Sequence, residues 1–390
     1  MMSATSEGAN QSLANKKRIN WLNSIFLIGS PVVAPIAGYW HATTYGIGWA
    51  EILIFFIWYW ACGLSITVGY HRLFSHKSHE ASSALVFLYA IFGAAAFQNS
   101  IVEWASDHRN HHKYTDLQKD PYNAKKGFLW SHILWILVDN TSEQDFTNVK
   151  DLSSVPIIAW QHRHIFKIGI FVGMIIPGLI GFAFGGIGGG IGGFIWGGFL
   201  RTVFVHHGTF LINSASHIWG RQPYLQTNTS RDSFWLAFFT FGEGYHNFHH
   251  AFQADYRNGH RWFHFDPSKW WISTFSLFKL NKKLKRAPQG SIAVAKLDGR
   301  FERMKSQVIR NNSSADISDF ELKMAECRKN LRRKMLELSK KNEEYKKSIA
   351  AKKAELGRQI TEIKGTLADI RVEISKIFSE MKVTSKITLG

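Results

Sequence analysis

Only two cysteines occur in 390 residues, Cys62 and Cys327, which excludes a disulfide scaffold and a cysteine-rich zinc module. Acidic side chains are scarce as well: 29 Asp and Glu face 47 Lys and Arg, a formal net charge of +18. That balance first suggests nucleic acid or an anionic membrane surface as partner. Yet charge of either sign is missing from long stretches. None occurs in residues 19–50, 52–70 or 168–200, and past the single Arg201 the second region continues uncharged to residue 220. No H-E-x-x-H is present, which disfavours zinc-peptidase chemistry, and no G-x-x-x-x-G-K-[S/T] accompanies the glycine-rich run at 185–193.

What is present is apolar and aromatic: 45% hydrophobic residues, with 30 Phe and 15 Trp, which excludes wholesale disorder. A membrane span needs about 20 apolar residues. The uncharged regions therefore predict four transmembrane helices, near 20–40, 50–70, 168–186 and 192–213, the last two turning within a glycine run suited to close helix packing. The apolar stretch 84–97 is only about 14 residues long, which favours a buried or interfacial helix over a span. Lys16, Lys17 and Arg18 before the first span place the N-terminus in the cytoplasm.

Nine of the 18 histidines form a pattern. His71 and His76 sit where the second span ends, and His108, His111 and His112 follow the short apolar helix. His217 lies at the end of the fourth span, with His246, His249 and His250 beyond it. Helical positions i, i+3 and i+4 share a face, so each H-x-x-H-H cluster projects its imidazoles one way. His71 and His76 are five apart, and on a regular helix they would diverge; convergence is expected only if the helix ends between them. With two spans before His76 and two more between His112 and His217, every cluster falls on the cytoplasmic side. Tetrahedral zinc takes four ligands, so nine imidazoles exceed one metal and fit two, each with four or five nitrogens. Imidazole suits Fe, Zn, Cu and Ni alike. A ferritin-like site would need two E-x-x-H motifs, and Glu243–His246 is the one match. Glu103, Asp107, Asp116 and Glu243 are the carboxylates nearest the clusters that could orient imidazoles.

The three boxes H-x4-H, H-x2-H-H and H-x2-H-H sit in longer contexts, Gly69-Tyr-His-Arg-Leu-Phe-Ser-His76, Asp107-His-Arg-Asn-His-His-Lys-Tyr114, Asp120-Pro-Tyr-Asn123 and Gly242-Glu-Gly-Tyr-His-Asn-Phe-His-His250. Over about residues 20–285 they closely resemble the integral-membrane fatty acyl desaturases of the stearoyl-CoA, Δ9 type. The resemblance implies a di-iron centre (two Fe2+) held by the nine histidines, with Asn213 reaching one metal through water and O2 as co-substrate. It implies insertion of a cis double bond into a long saturated acyl-CoA. Gln98, Trp104 and Thr209 match family positions near a tunnel bend, where Phe210 replaces the family's usual Trp, and Asn99 and Asp107 are further candidate substrate contacts. Arg109, Lys113, Lys125 and Lys126 would offer cations to a CoA phosphate, and Phe55 and Tyr59 would close the far end of the tunnel. An acyl-lipid desaturase or a related di-iron hydroxylase is the same-class alternative; a non-enzymatic membrane metal carrier is the different-class one. No His-Pro-Gly-Gly signature occurs, so a separate electron donor, cytochrome b5-like or ferredoxin-like, with its reductase is implied.

The fold class expected is thus all-α integral membrane: four transmembrane helices, a cytoplasmic helical cap holding the histidine-rich site, and a C-terminal coiled-coil-like tail. The expected divisions are an N-terminal segment 1–18, a membrane domain 19–285, a linker 286–315 and a basic tail 316–390. Both termini and the site would face the cytoplasm, in a cell inner membrane or the endoplasmic reticulum. Residues 282–390 hold 27 basic and 14 acidic side chains, so +13 of the +18 belongs to the tail and no nucleic-acid partner is needed. There Ile360, Ile363, Leu367, Ile370, Ile374, Ile377 and Met381 step by three and four, a heptad seam predicting a coiled coil or helical hairpin, with homo-oligomerisation as one use.

Overall fold

A computed structural model describes residues 18–139, 146–311, 317–348 and 350–384. Lys16 and Lys17, on which the orientation rests, lie outside the described residues, as do Ile349 and the chain beyond 384. Two compact units result. One comprises the chain up to residue 220 together with 229–249 and 253–285; the other comprises 221–228, 250–252 and the chain from 286 onward.

In the first unit, Asn20 opens the Trp21–Tyr45 helix, its side-chain oxygen accepting from the backbone N–H of Asn23 at 2.9 Å. Glu51 reaches back to the N–H of Gly48 at the start of the Trp49–Leu64 helix. The first helix, and the second together with its continuation to Ser75, are long and apolar enough to cross a membrane. The third such stretch, Ile165–Ile218, has 54 residues. As one straight helix it would run roughly 80 Å, against a hydrocarbon thickness of about 30 Å. It does not stay straight: Gly185 leaves helical geometry and Gly186 takes φ 58°, ψ −144°, a conformation open to glycine. Past this bend the arms return in contact. A Cβ on Gly181 would fall 2.0 Å from the carbonyl oxygen of Gly189, and one on Gly193 2.1 Å from that of Pro177. The glycine run is a packing surface, as expected. The Ser83–Ala94 helix, at 12 residues, is too short to span.

Arg201, the lone charge of the second apolar region, is fully buried. Its guanidinium donates to the carbonyls of Gly197, Ala95 and Gly173 at 2.9, 2.7 and 2.8 Å, which ties three segments together. Together these features make the chain a helical membrane protein.

One expectation is overturned. The second span does not stop between His71 and His76; it continues to Ser75 in π-helical form from Ser65. The backbone N–H of His76 donates to the carbonyl of His71 at 3.1 Å, the i→i+5 bond of a π-turn. That wider turn stacks residues five apart on one face, so the two histidines converge while still helical.

In the second unit, the predicted 286–315 linker is also corrected. A helix, Gln289–Asn311, occupies most of it and buries Val294, Leu297, Phe301 and Val308. These pack with Met324, Cys327 and Leu331 of the Ser318–Lys347 helix. The Ala350–Thr384 helix completes the cluster with Ile363, Leu367, Ile370, Ile374, Ile377 and Met381. The heptad seam is real, and this chain's own helices fill it.

Candidate metal centre

Five histidines, His71, His76, His108, His112 and His249, bring one ring nitrogen each to within 4.8 Å of one another. His71 and His76 come from the π-helical end of the second span. His108 and His112 stand one turn apart on the Ile101–Tyr114 helix, whose start is fixed by a capping box between Ser100 and Glu103. His249 comes from the short His246–Ala251 helix. A second group contains His111, His217 and His246, again within 4.8 Å. His250 follows His246 by one turn on its helix, so its imidazole rises on the same side. The nine histidines read from spacing thus divide between two sites.

The nitrogens of the first group face one another closely. Nε2 of His76 is 2.8 Å from Nε2 of His108, and His108 is 3.1 Å from His112. His249 lies 3.0 Å from both His71 and His112 through the same atoms. In the second group the Nε2 atoms of His217 and His246 are 3.1 Å apart. Nitrogens bound about 2.1 Å from one metal at right angles sit about 3 Å apart. Burial holds the imidazoles of His76, His108, His112, His246 and His249 well below 6.5, so they are neutral at pH 7. Neutral imidazoles with inward lone pairs repel unless an electron-pair acceptor lies between them, so the donor set fits metal ions.

The opposite ring nitrogens are anchored, which fixes tautomer and orientation. His71 Nδ1 lies 3.1 Å from Glu243 Oε2, and His111 Nδ1 lies 2.9 Å from Asp120 Oδ1. Nδ1 of His108 is 3.2 Å from the hydroxyl of Tyr122. His217 Nδ1 is 2.9 Å from Thr229 Oγ1, which itself donates to Asp116 Oδ1 at 2.7 Å. Among the four expected carboxylates, Glu243 therefore acts directly and Asp116 through Thr229. Glu103 instead caps its helix. Burial and nearby Glu103 push the Asp107 carboxyl up to about 7, and among the described residues no bond from it to an imidazole is seen. Asp120, Tyr122 and Thr229 were not singled out from sequence, although Asp120 and Tyr122 lie in the Asp120–Asn123 motif.

Glu243 is itself held. Arg72, fully buried, donates to Glu243 Oε1 at 2.7 Å and to Asp266 Oδ1 at 2.9 Å. Burial opposes ionisation of Glu243, but Arg72 and His71 outweigh it and keep the carboxyl below its usual range. Asp266 also caps the Pro267–Leu277 helix through the N–H of Lys269.

The remaining expected site residues divide. Trp104 stacks on His108 with ring centres 4.9 Å apart. Gln98 donates to Thr209 at 2.8 Å, joining two residues 111 positions apart. Phe210 is buried against His206 and His132. Phe55 stacks on Tyr59, which in turn packs on Phe241 at 4.9 Å. Asn99 is exposed with φ 64°, and Asn213 ends the Arg201–Asn213 helix four residues before His217. Arg109 is corrected as a phosphate cation. Its guanidinium is engaged by the carbonyls of Phe74, Ser75 and Asn148 and by both carboxylate oxygens of Asp151. Lys113, Lys125 and Lys126 remain exposed.

Comparison with known proteins places this arrangement. The fatty acid desaturase profile matches residues 47–276. A probable acyl-CoA desaturase of Schizosaccharomyces pombe is 43% identical over 284 residues, covering 71% of this chain and 57% of its own length. Acyl-CoA desaturase 1 of Saccharomyces cerevisiae is 36% identical over 311 residues, covering 78% of this chain and 59% of itself. The sn-1 stearoyl-lipid 9-desaturase of Anabaena variabilis is 33% identical over 276 residues, 70% of this chain and 97% of that protein. This chain thus spans less than three-fifths of the two yeast relatives. The matched region contains all nine histidines of the two groups, and on that footing the chain belongs to the fatty acid desaturase family.

Proposed function

We propose that the chain is an oxygen-dependent acyl desaturase that places a cis double bond, at Δ9, in a long saturated acyl-CoA. The observation that carries this reading is the pair of buried histidine groups with inward-facing nitrogens. Two Fe2+ ions held there would supply O2 activation; overall, O2, two external electrons, two protons and two hydrogens from adjacent methylenes would give the alkene and two waters. His71, His76, His108, His112 and His249 would hold one iron, and His111, His217, His246 and His250 the other, with Asn213 reaching it through water. The protein's own task is placement: it must hold one unactivated carbon pair and exclude water from it. Trp104, which stacks on His108, and the Gln98–Thr209 pair and Phe210 would line the approach to the imidazoles, and the Phe55–Tyr59 stack would supply a wall for the chain's methyl end. Lys113, Lys125 and Lys126 are the exposed cations for an acyl-carrier phosphate. Electrons would come from a separate cytochrome b5-like or ferredoxin-like donor, and the site would face the cytoplasm.

An acyl-lipid substrate is the second reading, favoured by the near-complete coverage of the cyanobacterial stearoyl-lipid relative. A metal carrier is disfavoured, because the imidazoles are buried and locked by Glu243, Asp120, Tyr122 and Thr229 rather than strung along a path. Reconstitution with iron, reductant and either stearoyl-CoA or a stearoyl lipid, followed by mapping of the double bond, tests the proposal. A Δ9 product from the CoA ester supports it; product from the lipid alone selects the second reading, and no product from either refutes desaturation.

A further inference from the structure

The Ser318–Lys347 helix turns Met324, Cys327 and Leu331 inward, and between Arg328 and Lys341 its opposite side is basic. Between Arg328 and Lys341 stand seven basic side chains and one acid, Glu337. Three of the seven are matched: Arg328 with Asp298 at 2.7 Å, Lys334 with Glu337 at 3.0 Å and Lys341 with Glu344 at 3.2 Å. The other four, Lys329, Arg332, Arg333 and Lys340, are exposed and make no ion pair among the described residues; Arg333 donates to the side chain of Asn330 at 3.3 Å. At 3.6 residues per turn all four fall within an arc of about 100°. Leu336 lies in the middle of that arc, 61% exposed, and Leu322 lies further along it, 72% exposed. Glu326 lies just outside the arc, and Glu343, one turn beyond Lys340, falls on it.

Such a face is unfavourable for the helix alone. Lys329 repels Arg332 and Arg333 at spacings of three and four, which weakens an isolated helix. A partner of opposite charge relieves that repulsion, and an apolar layer beneath the charge would receive the two leucines. A bilayer offers both, and it lies close along the chain. The membrane unit ends at Lys285 and the second unit resumes at Arg286, through the basic run Lys282, Lys283, Lys285 and Arg286. A surface tethered so closely meets headgroups at high effective concentration.

We propose that the Lys329, Arg332, Arg333, Lys340 face, centred on Leu336, docks on an anionic phospholipid surface. Clusters of four or more exposed cations on one helix bind such membranes through their negative surface potential. The inference stands apart from the catalytic reading.

The test uses the full chain in nanodiscs. Cys62 and Cys327 are both buried, so Leu336→Cys accepts a thiol-reactive fluorophore selectively. Discs of phosphatidylcholine alone are compared with discs containing phosphatidylserine, each with brominated acyl chains as quencher. Quenching several-fold stronger in the phosphatidylserine discs, and lost at high salt, is the expected result. Changing Lys329, Arg332, Arg333 and Lys340 together to Glu should abolish it. The milder set to Gln should reduce it while far-ultraviolet circular dichroism stays unchanged. Equal quenching in both discs, or quenching indifferent to both charge variants, overturns the proposal. A label indifferent to lipid that shifts on adding polyglutamate also overturns it and assigns the face to an acidic polypeptide.

Discussion

Nδ1 of His71 lies 3.1 Å from one carboxylate oxygen of Glu243, while the other oxygen of Glu243 lies 2.7 Å from Arg72. A metal-facing imidazole is thereby tied to a fully buried ion network that ends at Asp266. Orientation of the ligand and stability of the fold share the same atoms.

Replacing Glu243 therefore has two consequences. Partners that orient a ligating histidine typically change metal affinity by about 10–100-fold when lost. Glu243→Ala should weaken metal retention by that order. It should also cost on the order of 3 kcal/mol of stability, because Arg72 keeps one counter-charge where it had two. Glu243→Gln preserves an acceptor for His71 and should recover part of the metal affinity without restoring the charge balance. Metal titration beside thermal unfolding separates the effects; equal metal affinity in all three proteins would refute the orienting role.

Gly93 bears on the same centre from outside. A Cβ there would fall 2.2 Å from the ring of Tyr70, whose hydroxyl accepts from Gln161 and whose neighbour in the π-helix is His71. Gly93→Ala should destabilise the protein by about 1–3 kcal/mol, as overpacking of a filled core does. An unchanged unfolding midpoint in detergent would contradict this packing.

Asp151 should contribute to acid sensitivity. Hydrogen bonding from Arg109, assisted by Lys77, lowers its carboxyl to about 2. A carboxylate depressed in the folded state adds stability above its unfolded value of about 4 and loses it as pH falls through the folded one. The wild-type protein should lose stability between about pH 4 and pH 2 more steeply than Asp151→Asn. Parallel curves for the two proteins would remove Asp151 from the account. At pH 7, Asp151→Asn should also loosen Arg109 from the end of the π-helix.

If the Phe55–Tyr59 stack closes the substrate's path, Tyr59→Ala should lengthen the accepted chain. Acyl chains longer by two carbons should gain on the order of tenfold in relative kcat/KM. An unaltered chain-length profile would place the stack in structural packing alone.

Much of this was legible in residue spacing, and the gaps have physical causes. The nine histidines and four apolar arms follow from periodicity and charge, which are local properties. The convergence of His71 and His76 was foreseen but its cause was not, since a π-turn replaces the expected helix end. The five-residue spacing was itself the available signal, with no Pro or Gly between the two to break the helix. The 289–311 helix was readable too. Val294, Leu297, Phe301, Met304 and Val308 step by three and four, but interleaved charges obscured them. Asp120 on His111, Thr229 on His217 and Asp266 on Arg72 depend on tertiary approach across 9 to 194 positions, which spacing alone does not encode.

The central claim is that two metals sit in two separable histidine groups, and elemental analysis of purified protein tests it directly. The wild type should carry about two iron atoms per chain. His249→Ala, in the first group, and His246→Ala, in the second, should each carry about one, with desaturation lost in both. Two irons retained in either variant, or none in the wild type after anaerobic iron loading, would contradict the account.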